Sequence, residues 1–233
     1  MDAGDDVDDA ADIIIKNQRV ADVVDNVPDN TRREIADILI DNPDSERIAS
    51  ELVDKFDESG KIGVDEWNRE QALLRGNSID NPIKDDLKYL KKRPKRLKPD
   101  IWYQTGDFDY LYHTNKKGWI DEVNVDKLQL NLDERHSHYA NPPGKLPDDE
   151  AGHLIADIFG GSRDADNIVA MSHNINSSQY KILENQWRQA VEAGKDVSIN
   201  IKIDYGNSTT GRPTAFDVDT VIDGELKKYH FDN

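Results

Sequence analysis

The sequence predicts an α+β fold, with an antiparallel sheet in the C-terminal half and a small helical region before it. Three observations carry that expectation. Apolar residues keep helical spacing over residues 8–57 and switch to strand alternation from about residue 100 onward. A basic, proline-bearing stretch separates the two regimes. Inside the second regime, residues 146–194 read strand, glycine turn, strand, helix, a single helical insert among strands.

In the N-terminal region Ile13, Ile14, Val20 and Val24 hold a helical spacing, as do Ile35, Ile38 and Leu39, and then Ile48, Leu52, Val53 and Phe56. Pro28 and Pro43 separate these segments. Residues 1–58 are therefore expected to form short acidic helices. The run Lys55–Glu66 places Asp57, Ser59, Gly60 and Glu66 at EF-hand-like positions, but Lys55 stands where calcium needs a carboxylate. A polar connection between helices is the better reading there. Residues 59–99 read as a polar and basic linker. Its later part opens with Gly76-Asn77-Ser78, and Lys91–Pro99 carries two prolines inside a basic run, which argues against a continuous helix. That run is either a solvated tether or an arm that contacts phosphates.

Residues 100–233 form the third region. Phe108–His113 and Trp119–Val125 flank a turn at Asn115–Gly118 and read as a hairpin. Val197, Ile199, Ile201, Ile203 and Tyr205 alternate with polar residues, as do Phe216, Val218, Thr220 and Ile222. Asp223-Gly224 marks a tight turn before Leu226–Phe231. The helical insert is expected over residues 177–194, capped by Ser177 or Ser178, with Tyr180, Leu183, Trp187 and Val191 as its buried stripe.

Composition narrows the function classes. The chain has no cysteine, so any metal must use oxygen or imidazole ligands. No apolar run approaches a membrane span. The opening Met1–Asp6 is acidic and carries no secretory signal of the usual kind, as a piece of a longer protein would also read. The net charge of −17 counts against capture of nucleic acid by charge alone. It is unevenly spread: residues 1–60 hold 18 acidic and 6 basic residues, residues 61–100 hold 7 and 11, and residues 101–233 hold 22 and 13.

The chemistry concentrates between Leu146 and Asn185. One histidine, His153, sits on the first strand beside Gly152, which lets backbone or substrate approach closely. Asn176, Tyr180 and Glu184 are four residues apart and share one helix stripe if the helix begins that early. An oxygen-ligated divalent ion could use Asn176 directly. Glu184 lies up to about 12 Å along the axis and would act through metal-bound water. A histidine facing such an ion could deprotonate an attacking water, which is what phosphodiester cleavage without a covalent nucleophile requires.

These motifs resemble the DNA/RNA non-specific endonucleases of the ββα-metal, or His-Me finger, class, in the branch found at bacterial toxin C-termini. The resemblance rests on Gly-His-Leu-Ile-Ala at 152–156, Phe-Gly-Gly at 159–161, Asp166-Asn167-Ile168, Asn174-Ile175-Asn176, Tyr180 and Leu183-Glu184-Asn185. It implies that His153 is the general base and Asn176 the protein metal ligand. It further implies that Glu184 holds the metal's waters and that Asn167 supports the active site, with Mg2+ as the ion and Mn2+ as the alternative. Many relatives read Asp-Arg-Gly-His where this chain has Glu150-Ala151-Gly152-His153, so the arginine that stabilises the transition state must come from elsewhere, with Arg135 or Arg163 as candidates.

The same resemblance implies DNA and RNA as substrates, a secreted toxin of the kind exported by type VII systems, action in a target-cell cytoplasm, and neutralisation by a dedicated immunity protein. Two other readings stand beside it. One is a nuclease for DNA uptake or scavenging, which would need an export signal. The other is a catalytically inactive nuclease-like binding module, which the missing arginine keeps open.

Overall fold

The computed structural model describes residues 73–84, 86–92, 95–131 and 137–233. The expected acidic helices, the EF-hand-like run and Arg135 lie outside the described residues. Within them the fold is α+β, as the periodicity predicts. Six strands form one antiparallel sheet in the order β10-β9-β8-β5-β4-β3. They are β3 (Trp102–Thr105), β4 (Tyr110–Thr114), β5 (Ile120–Val125), β8 (Val197–Asp204), β9 (Ala215–Ile222) and β10 (Glu225–Asp232). A separate two-stranded hairpin, β6 (Asp149–His153) and β7 (Ile168–Ser172), leads into the helix α1 (Tyr180–Glu192). No helix among the described residues is long and apolar enough to cross a membrane.

The alternation seen in the sequence is the alternation of burial. Along β8, Val197, Ile199, Ile201 and Ile203 are buried and the residues between them are not. That buried face meets α1, whose Tyr180, Leu183, Trp187 and Ala190 are buried. Trp187 is fully buried, and its indole N–H donates to Thr220 Oγ1 on β9 at 3.0 Å. A buried indole needs such a partner, because an unmet donor costs about 1–3 kcal/mol.

The joint between sheet and hairpin is made by phenol hydroxyls. Tyr103 donates to the Asp166 carbonyl at 2.8 Å, Tyr110 to the Phe159 carbonyl at 2.9 Å and Tyr112 to Asn167 Oδ1 at 2.8 Å. All three acceptors lie in the segment between β6 and β7. Burial pushes the Tyr110 phenol up to about 12, and the Tyr103 and Tyr112 phenols well above their ordinary value, so all three stay protonated donors. Asp166 lies in the same joint. It accepts from Thr105 at 2.7 Å and Ser162 at 2.6 Å, and pairs with Lys88 at 3.0 Å. Burial works to raise its pKa, but Lys88 and these hydroxyls outweigh it and hold the carboxyl below the ordinary range.

The described part of the expected linker 59–99 is not a free tether. Residues 89–92 and 95–97 pair as an antiparallel hairpin, β1 (Tyr89–Lys92) and β2 (Lys95–Leu97). Ile83, Tyr89 and Leu97 are buried in the same core as the sheet, and Lys88 supplies the counter-charge for Asp166. The compact unit accordingly begins at Leu73. The prolines excluded a helix correctly, but a short hairpin was the alternative they left.

The helix also starts differently from the expected Ser177 or Ser178 cap. Residues Ile175–Gln179 form one π turn, closed by the Tyr180 N–H on the Ile175 carbonyl, and α1 continues from it. No side chain caps this start, and Ser177 Oγ points instead to Glu150. At the far end of β6, Arg212 grips Asp149 through two bonds of 2.7 and 2.8 Å, and this holds the Asp149 carboxyl below its usual range.

Removing Lys88 strands a buried carboxylate. Lys88→Ala should therefore lower the unfolding free energy by about 3–5 kcal/mol. The double variant Lys88→Met/Asp166→Leu should lose much less, because it removes both charges. Urea denaturation of the two reads the difference, and equal losses would sink the assignment. Asp149 predicts a pH dependence. Its folded pKa is depressed, so its stabilisation is complete above about pH 4 and fades as the pH falls through the depressed value. Arg212→Ala should flatten the acid limb of a stability–pH curve while also lowering stability at neutral pH.

Candidate active site

Each functional side chain is placed by the hairpin–helix unit. The β6–β7 register sets Gly152 opposite Val169 and His153 opposite Ile168. The chain then turns through the Phe-Gly-Gly motif. A Cβ on Gly161 would overlap the Ile155 carbonyl, so only glycine lets the loop fold back this tightly. The return crossing is held by Asn167. Its Oδ1 accepts from the Ile155 N–H at 3.0 Å, and its Nδ2 donates to the Ile155 and Ser162 carbonyls at 2.8 and 2.6 Å. Its backbone carbonyl accepts from the Leu154 N–H at 2.9 Å.

Asn176, in the π turn, comes to the same strand. Its Nδ2 donates to Glu150 Oε2 at 2.7 Å. That bond assigns the amide orientation and leaves Oδ1 as the outward acceptor. A Cβ added to Gly152 would lie 2.9 Å from that Oδ1 and would overlap Met171 Sδ. Gly152 is thus a cradle for the Asn176 amide, directly beside His153. Glu150 also accepts from Ser177 Oγ at 2.8 Å and lies 2.8 Å from His173 Nδ1. The Asn176 hydrogen bond is the main reason its carboxyl sits below the usual range, so it remains an acceptor.

Glu184 follows one turn after Tyr180 on α1. The Tyr180 hydroxyl donates to the Leu154 carbonyl at 2.8 Å, the residue after His153. Burial first, and then the Glu184 carboxylate, raise the Tyr180 phenol well above its ordinary value, so it stays a protonated donor. His138 packs edge-on against His153, with ring centroids 4.9 Å apart. The structure therefore sets the Asn176 amide against Gly152, beside His153, while Glu184 stands on α1 one turn beyond Tyr180.

It does not bring every expected residue there. Asn167 is fully buried behind the strand, with both amide ends engaged by the scaffold. It braces the site and presents no group to it. Arg163 pairs with Asp157 at 3.2 Å. Sequence reasoning assigns no site role to Glu150, Ser177, His138 or His173; the two histidines lie near the site in sequence, and Glu150 occupies the acidic position of the Asp-Arg-Gly-His pattern.

The donor set can be tested against a divalent ion. Among the described residues no three His, Cys, Asp or Glu side chains cluster as a metal cage. What the site offers is one oriented amide oxygen, with carboxylates nearby. That suits a hard cation that keeps most of its water, since Mg2+ dehydrates reluctantly and uses few protein ligands.

The model of the DNA/RNA non-specific endonuclease family matches residues 99–224, more than half of the chain. The chain belongs to this family. The matched region contains the whole hairpin–helix unit. The type VII secretion system protein EssD of Staphylococcus aureus, strain USA300, is 44% identical over 147 residues, covering 59% of this chain and 24% of that protein. The EssD of strain NCTC 8325 / PS 47 gives the same figures. The chain thus spans about a quarter of the length of these relatives. Among solved structures, NucA from Streptococcus agalactiae with no metal bound has a TM-score of 0.46 at 18% identity, covering 59% of this chain and 74% of that one. NucA with magnesium bound has a TM-score of 0.40 at 18% identity, covering 48% and 63%.

The cradle yields a test. Gly152→Ala should leave the far-UV spectrum intact but push the Asn176 amide off its strand. A displacement of this kind costs on the order of 10²-fold in turnover. Nuclease activity equal to wild type in that variant would show that the Asn176 position is irrelevant.

Proposed function

We propose that the chain hydrolyses phosphodiester bonds in both DNA and RNA through His153, Asn176 and Glu184. The observation that carries this is the Asn176 amide, fixed by Glu150 and set against Gly152 beside His153. In this reading His153 takes the proton from the attacking water as general base. Asn176 Oδ1 would hold a divalent cation, Mg2+ or Mn2+, and Glu184 would act on it through water. When bound, the ion supplies charge stabilisation to the phosphate and the leaving oxygen. The His138 ring and the β7 register keep the His153 imidazole in place, and Tyr180 fixes the helix carrying Glu184 against the Leu154 carbonyl. Arg163 is engaged by Asp157, so we assign the arginine role to Arg135, whose loss should cost about 10²–10³-fold.

The EssD relatives are named for type VII secretion. On that basis we further propose that this nuclease is the toxic part of a secreted effector, active in a target-cell cytoplasm and held in check by an immunity protein. A small protein encoded beside it that blocks cleavage would support the setting.

The decisive experiment offers supercoiled plasmid and RNA to the wild type, to His153→Ala and to Asn176→Ala, with Mg2+, with Mn2+ and with chelator. The wild type should cut both substrates only with metal. His153→Ala should fall by about 10²–10⁴-fold, and Asn176→Ala should need about 10–100-fold more metal. Cleavage by His153→Ala at the wild-type rate would remove the proposed base.

A further inference from the structure

Beside the hairpin lies a groove of about 640 Å³ that the site described above does not use. We infer that it is a binding track for one strand of the polynucleotide substrate, held by Arg96, Lys116 and Lys117 through its phosphates. This rests on the nuclease reading for the identity of the ligand. The groove is within the about 300–1,000 Å³ range of small-ligand sites, so it accepts a short stretch of single strand and cannot enclose a duplex.

Charge is the first argument. The lining includes Lys95, Arg96, Lys116 and Lys117, and no aspartate or glutamate among the described residues, in a chain of net charge −17. Lys95 is already paired with Asp164. Arg96 and Lys116 are exposed and, among the described residues, enter no ion pair. Lys117 donates to the Ser208 carbonyl at 3.0 Å and lies 4.6 Å above the Trp119 ring, which also lines the groove. An ammonium held over an indole keeps its charge while losing conformational freedom, which suits it to a phosphate oxygen.

Position is the second argument. The groove wall includes Ile168 and Val169, the cross-strand partners of His153 and Gly152. It also includes Tyr139, the residue after His138, whose ring packs on His153. A strand leaving the proposed catalytic histidine therefore has a cationic path adjoining it. The basic run that the sequence placed between tether and phosphate-contacting arm thereby gains a use, since Arg96 belongs to it.

The test reads binding without turnover. Anisotropy of a fluorescent single-stranded oligonucleotide is followed with the full chain in chelator, at several salt concentrations. Arg96→Ala/Lys116→Ala should raise the dissociation constant by about tenfold and reduce the slope of log K against log salt by about 0.7 per charge removed. Arg96→Lys/Lys116→Arg, which keeps both charges, should restore both values. Lys227→Ala, on β10 and outside the groove, is the control for net charge. An unchanged dissociation constant in the double variant, or an equal loss in Lys227→Ala, overturns the proposal. Because no cleavage is needed, a protein that cut neither plasmid nor RNA would still report on the groove, and the two readings can fail separately.

Discussion

The geometry of the site depends on the Asn167 side chain. Its amide is fully buried and engages the Ile155 N–H, the Ile155 and Ser162 carbonyls, and the Tyr112 hydroxyl. Each of these groups would otherwise be left unmet in a medium of low dielectric, where an unsatisfied polar group costs about 1–3 kcal/mol. One side chain thus closes the segment between the two hairpin strands and ties that closure to the sheet. Asp166, the preceding residue, ties the same segment to β3 through Thr105 and to the chain before β1 through Lys88. The end of β6, where His153 sits, is therefore fixed from behind by residues that never face solvent.

Pairing also explains how an acidic chain can present a surface suited to a polyanion. The carboxylates around the hairpin are mostly engaged: Asp149 by Arg212, Asp157 by Arg163, Asp164 by Lys95 and Asp166 by Lys88. Glu150 is occupied by three side chains of the helix start. Net charge counts all acidic residues equally, whereas an approaching phosphate feels the nearby ones most, because separated charges are screened within about 8 Å at physiological salt. The sign of the local field is set by which charges lack partners, and those include Arg96 and Lys116.

Much of this was legible in the sequence, for identifiable reasons. The strands β8 and β9 bury one face, so their period-two alternation shows directly, and the buried stripe of α1 shows at Tyr180, Leu183 and Trp187. His153, Asn176 and Glu184 stand out in the sequence through the motifs that contain them, and the structure sets the Asn176 amide against Gly152, beside His153. What was not legible depended on contacts distant in sequence. Asn167 looks the same in a string whether it faces substrate or the Tyr112 hydroxyl 55 residues away. Residues 76–99 looked like linker because their apolar members, Ile83, Tyr89 and Leu97, are too sparse to show a period, yet each is buried. The π turn was hidden because Ser177 and Ser178 offer the usual cap, while Glu150, from another element, competes for Ser177.

The resemblance implies Asp-Arg where this chain has Glu150-Ala151, and that difference bears on two separate jobs. An acidic residue stands at position 150, and its side chain reaches Asn176, Ser177 and His173 together. Glu150 orients the amide in this chain, whereas position 151 carries no positive charge. The groove cations cannot simply take over that second job. Groups that hold a strand away from the reacting phosphate bind ground state and transition state alike, and so lower KM without raising kcat. An arginine aimed at the reacting phosphate acts on the transition state alone and raises kcat. On this reading, substrate capture by Arg96, Lys116 and Lys117 and charge stabilisation by Arg135 are separable functions. Kinetics on the two sets of variants would then move different constants.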